Sequence, residues 1–158
     1  MKIVRPDSNE IAPCGKLPSI FLVGPTPRDS KTPSWRPDAI EILKQLGFEG
    51  VVFVPERDDW SGVDYPTQCE WEHEALHYSS NMGCIAAWVP RDLKTMPAFT
   101  TNVEFGRFVD CGRFVYGRPD SAPKNRYLDW LYKEETGLPP CQSLKGLMKL
   151  AVEMTKEV

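Results

Sequence analysis

Three short apolar runs, each closed by a turn residue, constrain the fold of this chain most: Ser19-Ile20-Phe21-Leu22-Val23 before Gly24-Pro25, Val51-Val52-Phe53-Val54 before Pro55, and Cys84-Ile85-Ala86-Ala87-Trp88-Val89 before Pro90. Runs that are apolar throughout and end at Gly or Pro read as strands covered on both faces. Helical patterns separate them. Pro37 and Asp38 suit a first turn, Ile40, Leu43 and Leu46 repeat at helical spacing, and Gly47 is a stop, so a helix is expected over about 36–46. A second is expected over about 67–80. Beyond the third run come a ten-residue loop, a helix begun near Asn102, a strand over 113–116, a helix near 124–134 and a last helix from Ser143. In that last helix Leu144, Leu147, Met148, Ala151 and Met154 line one face. Strands alternating with helices imply a parallel sheet flanked by helices on both faces. A single-domain α/β fold over 19–158, preceded by an N-terminal extension over 1–18, is the expected organisation.

The 158 residues, 41% hydrophobic and 26% charged, suffice for one core and one active site. A net charge of -3 supplies no long-range field for a polyanion, so no nucleic-acid polymer is expected as a partner. The five cysteines (Cys14, Cys69, Cys84, Cys111, Cys141) contain no C-x-x-C pair and read as reduced thiols. No apolar stretch approaches membrane-spanning length and the first 17 residues hold charges and prolines, so no membrane partner and a cytoplasmic location are expected.

The chemistry concentrates after the third run. Pro97-Ala98-Phe99-Thr100-Thr101-Asn102-Val103-Glu104-Phe105-Gly106 opens an amphipathic helix and places Glu104 in its first turn, where the helix dipole favours an ionised carboxylate. Thr100, Thr101 and Asn102 add more hydrogen-bonding groups than one cap needs. In an open α/β sheet, ligands bind beyond the carboxyl ends of the strands, which makes Glu104 a candidate nucleophile. A second acid is available on the preceding helix. Glu72 shares a face with Gln68, Ala75, Leu76 and Ser79, and Glu74 shares one with Trp71 and Tyr78. Two carboxylates about 5 Å apart can divide glycosidic chemistry between attack on the anomeric carbon and proton transfer to the leaving group.

The same helix spells His73-Glu74-Ala75-Leu76-His77, an H-E-x-x-H pattern that can bind zinc, with Glu104 as a third ligand. Gly24-Pro25-Thr26-Pro27-Arg28 ends the first run where a sugar or phosphate would be met, without the glycine pattern of an NAD or ATP site. Ser34-Trp35-Arg36 offers a stacking face and a cation to a base. The acidic stretch 56–66 could form a pocket wall.

In order along the chain, Phe21-Leu22-Val23-Gly24-Pro25-Thr26-Pro27-Arg28, Ser34-Trp35-Arg36, Val52-Phe53-Val54-Pro55-Glu56, Gln68 with Trp71-Glu72, Trp88-Val89-Pro90-Arg91 and Phe99-Thr100-Thr101-Asn102-Val103-Glu104-Phe105-Gly106 resemble the nucleoside 2-deoxyribosyltransferase-like family over about residues 19–130. The resemblance implies a flavodoxin/Rossmann-like sheet and a homo-oligomer with sites near subunit interfaces. It also implies cofactor-free exchange of the base of 2′-deoxynucleosides, with nucleosides and free nucleobases as partners. Glu104 would be the nucleophile that forms a deoxyribosyl ester, Glu72 or Glu74 the second acid, Gly24 and Pro25 neighbours of the base or sugar, and Asn102 a neighbour of the sugar hydroxyls. The sequence departs from the family at Ala98, where classical transferases have Asp, and at Met82-Gly83, where many relatives have an acid. The alternatives are a nucleoside 5′-monophosphate N-glycosidase, for which Arg28, Ser34 and Arg36 would hold the phosphate, a zinc peptidase and a non-catalytic nucleotide-binding module.

Overall fold

The computed structural model describes residues 1–8 and 17–157; Cys14 and most of the expected N-terminal extension lie outside them. Five strands, β1 (Lys2–Val4), β2 (Ser19–Val23), β3 (Val51–Phe53), β4 (Gly83–Trp88) and β5 (Phe114–Gly117), form one parallel sheet in the order β1-β3-β2-β4-β5. Five helices flank it: α1 (Arg36–Gln45), α2 (Tyr65–Met82), α3 (Phe99–Phe108), α4 (Arg126–Thr136) and α5 (Leu144–Thr155). This is the α/β arrangement, Rossmann- or flavodoxin-like, that the alternating pattern implies.

Both faces of the sheet are covered, which explains the unbroken apolar runs. Phe21, Val23, Phe53, Ile85, Ala87 and Tyr116 point to the side packed by α2, α3 and α4. Their neighbours Ile20, Leu22, Val52, Cys84, Ala86 and Val115 point to the side packed by α1 and α5. Side chains alternate faces along a strand, so a strand buried twice is apolar except where a buried partner satisfies a polar side chain, as Ser79 does for Ser19 at 2.9 Å. Strand β1 falls within the segment read as an extension from sequence. It pairs Lys2 with Val51 and Val4 with Phe53, so the sheet begins at the start of the chain.

Two boundaries bear on the site. Helix α2 starts at Tyr65, two residues before the expected position, because the Asp64 side chain accepts from the Thr67 amide at 3.0 Å and Pro66 suits the first turn. It runs directly into β4 at Gly83, where a Cβ would sit 1.9 Å from the Ser19 carbonyl oxygen. Helix α3 starts at Phe99, behind Ala98 in the left-handed region (φ 62°, ψ 39°) with no side-chain cap. The Thr100-Thr101-Asn102 group is therefore inside the helix. Among the described residues, no helix is long and apolar enough to cross a membrane.

Candidate active site

Strand β2 is followed through α1 by β3 on one side, whereas α2 carries the chain back across the sheet to β4 on the other. The order in which strands are added reverses between β2 and β4, which opens a crevice at their carboxyl ends. A cavity of about 320 Å³ lies there. Its walls are the turn Gly24-Pro25-Thr26, Pro55 after β3, the first turns of α2 with Tyr65, Gln68, Cys69 and Glu72, and the segment Pro97–Thr101 with Glu104 from α3.

Arg36 anchors the β2 end of this cavity. Its side chain is 1% exposed, and its guanidinium donates to the Gly24 carbonyl (2.6 Å), Thr26 Oγ1 (3.1 Å), the Leu22 carbonyl (3.3 Å) and the Pro25 carbonyl (3.4 Å). Glu56 Oε2 pairs with it at 3.4 Å and accepts from Ser34 Oγ at 2.6 Å. A buried guanidinium is tolerable when its donors find acceptors in this way. Trp35 is buried beside it and donates Nε1–H to the Pro25 carbonyl at 3.1 Å. Gly24 has to be glycine: a Cβ would come within 2.2 Å of the Trp88 carbonyl oxygen and 2.6 Å of the Trp35 ring. Ser34-Trp35-Arg36 thus braces the turn under the cavity. Trp35 does not line the cavity, whereas Arg36 reaches it from below.

The two carboxylates of the site are Glu72 and Glu104. Glu74, the other candidate, is exposed on the outer side of α2 and does not line the cavity. Burial raises the pKa of Glu72, while the Gln68 hydrogen bond and the charges of Arg36 and Arg57 oppose the shift. Glu104 is pushed up to about 8, first by burial and then by the charge of Glu72, with Arg36 opposing. This corrects the expectation of a dipole-stabilised carboxylate. With α3 starting at Phe99, Glu104 stands in the second turn, beyond the free N–H groups, and desolvation dominates. Among the described residues its carboxyl makes no hydrogen bond, so it is free to face a ligand.

Of the remaining candidates, Gly24, Pro25, Arg28 and Thr101 line the cavity. Arg28 lies over the Phe99 ring at 5.4 Å. Asn102 does not line it: its Oδ1 accepts from Arg91 Nη2 at 2.6 Å, and it borders a separate groove with Lys124 and Tyr127. Thr26, Trp60, Tyr65, Phe99 and Thr100 line the cavity without having been singled out as site residues. Aromatic residues placed next to the turns after β3 and β4 were the available signal.

The H-E-x-x-H residues stand on the other side of α2. His73 and His77 are exposed, with ring centroids 4.5 Å apart. Their Nδ1 and Nε2 atoms lie 3.2 and 3.4 Å from the two terminal nitrogens of Arg107. A guanidinium thus lies against one ring nitrogen of each histidine. Among the described residues, no three His, Cys, Asp or Glu side chains are grouped to hold a metal ion, and Glu104 lines the cavity on the other side of α2.

The family model described as nucleoside 2-deoxyribosyltransferase like matches residues 17–121, a span from the start of β2 past the end of β5 that contains Gly24, Glu72 and Glu104. No curated protein matches the sequence significantly. The family match covers well over half of the chain and includes every strand that borders the cavity. The chain therefore belongs to the nucleoside 2-deoxyribosyltransferase-like family.

Proposed function

We propose that the protein exchanges the base of 2′-deoxynucleosides through a deoxyribosyl ester on Glu104. The observation that carries this reading is the convergence of two carboxyl groups, Glu72 from α2 and Glu104 from α3, on one cavity where the charge of Glu72 raises the cost of ionising Glu104. Such a pair holds one proton over a wide pH range. In the reaction, ionised Glu104 attacks C1′, the C1′–N bond breaks, and the neutral Glu72 carboxyl gives its proton to the departing base. An incoming base then displaces the ester carboxylate and returns a proton to Glu72. A bound base that hydrogen-bonds the neutral Glu72 carboxyl removes the charge that resists ionisation of Glu104, so binding itself activates the nucleophile.

A second reading, hydrolysis of a nucleoside 5′-monophosphate, draws on a different observation. The first turn of α3 has no side-chain cap, and Phe99, Thr100 and Thr101 line the cavity together with Thr26 and Arg28. Free helical N–H groups, hydroxyls and a cation suit a phosphate. Base exchange separates the readings: 2′-deoxyinosine or thymidine is incubated with adenine, with Glu104→Ala in parallel. New 2′-deoxyadenosine that disappears in the variant supports transfer. Free base without new nucleoside, and only from the 5′-monophosphate, favours hydrolysis. Binding without turnover of either substrate would leave a nucleotide-binding module.

Self-association is part of the proposal. Val103, Tyr127 and Trp130 are 69%, 68% and 55% exposed on α3 and α4, and the Tyr127 and Trp130 rings lie 5.6 Å apart. Clustered large apolar side chains of this kind mark contact surfaces, and light scattering reads the mass directly.

A further inference from the structure

The loop after β3 carries Arg57, whose Nε donates to Gln68 Oε1 across 2.6 Å. Gln68 is 3% exposed in the first turns of α2. The other end of its carboxamide donates to the Pro55 carbonyl at 3.0 Å and to Glu72 Oε1 at 2.7 Å. These partners permit a single amide orientation. A guanidinium only donates, whereas a proline carbonyl and a carboxylate only accept. Turned over, Gln68 would set N–H against N–H on one side and oxygen against two oxygens on the other, in a place with little water to compensate.

The consequence falls on Glu72. Its Oε1 accepts the Gln68 N–H, a hydrogen bond that favours the ionised form, while Oε2 has no such donor. The groups facing Glu72 come from every neighbouring element: Arg57 from the loop, Arg36 from α1 with its own partner Glu56, Glu104 from α3, and Tyr65 from the start of α2. Facing Glu104 are Glu72 and Arg36. The two arginines and the amide favour charge on Glu72, and charge on Glu72 disfavours charge on Glu104.

We propose that Arg57 is a positioning residue of this site: by holding the Gln68 carboxamide in one orientation it keeps Glu72 ionised at rest, and so keeps the shared proton on Glu104 until substrate enters. The inference rests on the reading of Glu72 and Glu104 as the reacting pair. It adds a residue outside the cavity wall that sets the resting protonation state. Arg57 stands on the same loop as Trp60, which does line the cavity, so contact between a substrate and the loop would reach the proton through Gln68.

The test is a ¹³C NMR titration of the glutamate carboxyls in the ligand-free protein, wild type against Arg57→Gln. Arg57 is only partly buried, and thermal melting checks that the variant folds. The Glu72 midpoint should rise by about half to one pH unit, as expected for loss of a nearby charge and a hydrogen bond, and a larger share of the upper titration step should pass from Glu104 to Glu72. The acidic limb of kcat/KM should move up with Glu72. Arg57→Lys, which keeps the charge but loses the fixed Nε–H, should fall between the two. In a Gln68→Leu background, or Gln68→Ala should leucine not fold there, Arg57→Gln should move the midpoints by less than half as much. Unchanged midpoints in Arg57→Gln would overturn the proposal, and so would an equal shift without Gln68, since Arg57 would then act by charge alone. The titration needs no turnover, so failure of base exchange would count against the proposed function without touching this result.

Discussion

The two sides of α2 each carry a glutamate, in opposite surroundings. On the inner side Gln68 and Glu72 meet the cavity, and each hydrogen bond there connects to a buried or half-buried partner. On the outer side His73, Glu74 and His77 stand in solvent, with Arg107 as the neighbour of both rings. Glu72 and Glu74 are two residues apart, hence about 200° around the helix. The Glu72 carboxyl is raised by desolvation at the cavity, and motif spacing along a helix does not supply desolvation. A helix can display a metal-binding pattern on one side while its reactive group faces the other way.

Substitutions on the inner side should be severe. Glu104→Gln should lower kcat for base exchange by about 10³-fold or more, since it removes the attacking group. Glu72→Gln should cost about 10²- to 10⁴-fold, the range for loss of a general acid, while Glu74→Gln should stay within about twofold of wild type. Steady-state assay of the three variants side by side tests the inner–outer contrast. Equal losses at 72 and 74 would abolish it.

Next in size is Arg36→Met, which strands Glu56 and the Gly24 and Thr26 acceptors in a buried place. Destabilisation of about 3–5 kcal/mol is expected by denaturant unfolding, the range for breaking a buried ionic network at one partner. A loss below about 1 kcal/mol would show that the β2 turn holds itself.

The pH dependence sharpens the contrast further. The reaction needs one proton on the pair, and the last proton leaves Glu104 near pH 8, so kcat/KM should fall as pH rises through about that value. Stability should run the same way. The folded state raises Glu104 from 4.5 to about 8, so it binds the proton more tightly than the unfolded chain does between those values. The contribution is intact below pH 4.5 and is lost as pH rises through 8. Glu104→Gln should therefore melt a few degrees higher than wild type at pH 8.5, at about 2–4 °C per kcal/mol, and show almost no gain at pH 4.5. A gain that did not depend on pH would mean that Glu104 is not strained by its charge. The smallest effect is expected on the outer side: His73→Ala with His77→Ala, or a chelator, should change activity less than about twofold.

Much of the sheet was legible in the sequence, because strands buried on both faces leave unbroken apolar runs and the runs here end at Gly24, Pro55 and Pro90. Strand β1 escaped notice because three residues make no pattern, and its role depends on β3 offering an edge. The start of α3 was misplaced because Ala98 enters through a left-handed residue without a polar cap, so the later threonines looked like the cap. Trp35 and Asn102 were read as ligand contacts because both residue types often serve that purpose. In the fold each is taken by an internal partner, the Pro25 carbonyl and Arg91.

By itself the sequence determined the parallel α/β layering, the family, and Glu104 and Glu72 as members of a short set of reactive candidates. Local pattern and composition carry that information, since burial on two faces and turn chemistry act on neighbouring residues. Only the tertiary structure decided that Glu72 rather than Glu74 joins Glu104 and that Arg36 is a brace as well as a cation. It likewise decided that Glu104 rests protonated near neutral pH. Those outcomes depend on which distant groups exclude water from a carboxyl or share its field, and desolvation and charge act through space.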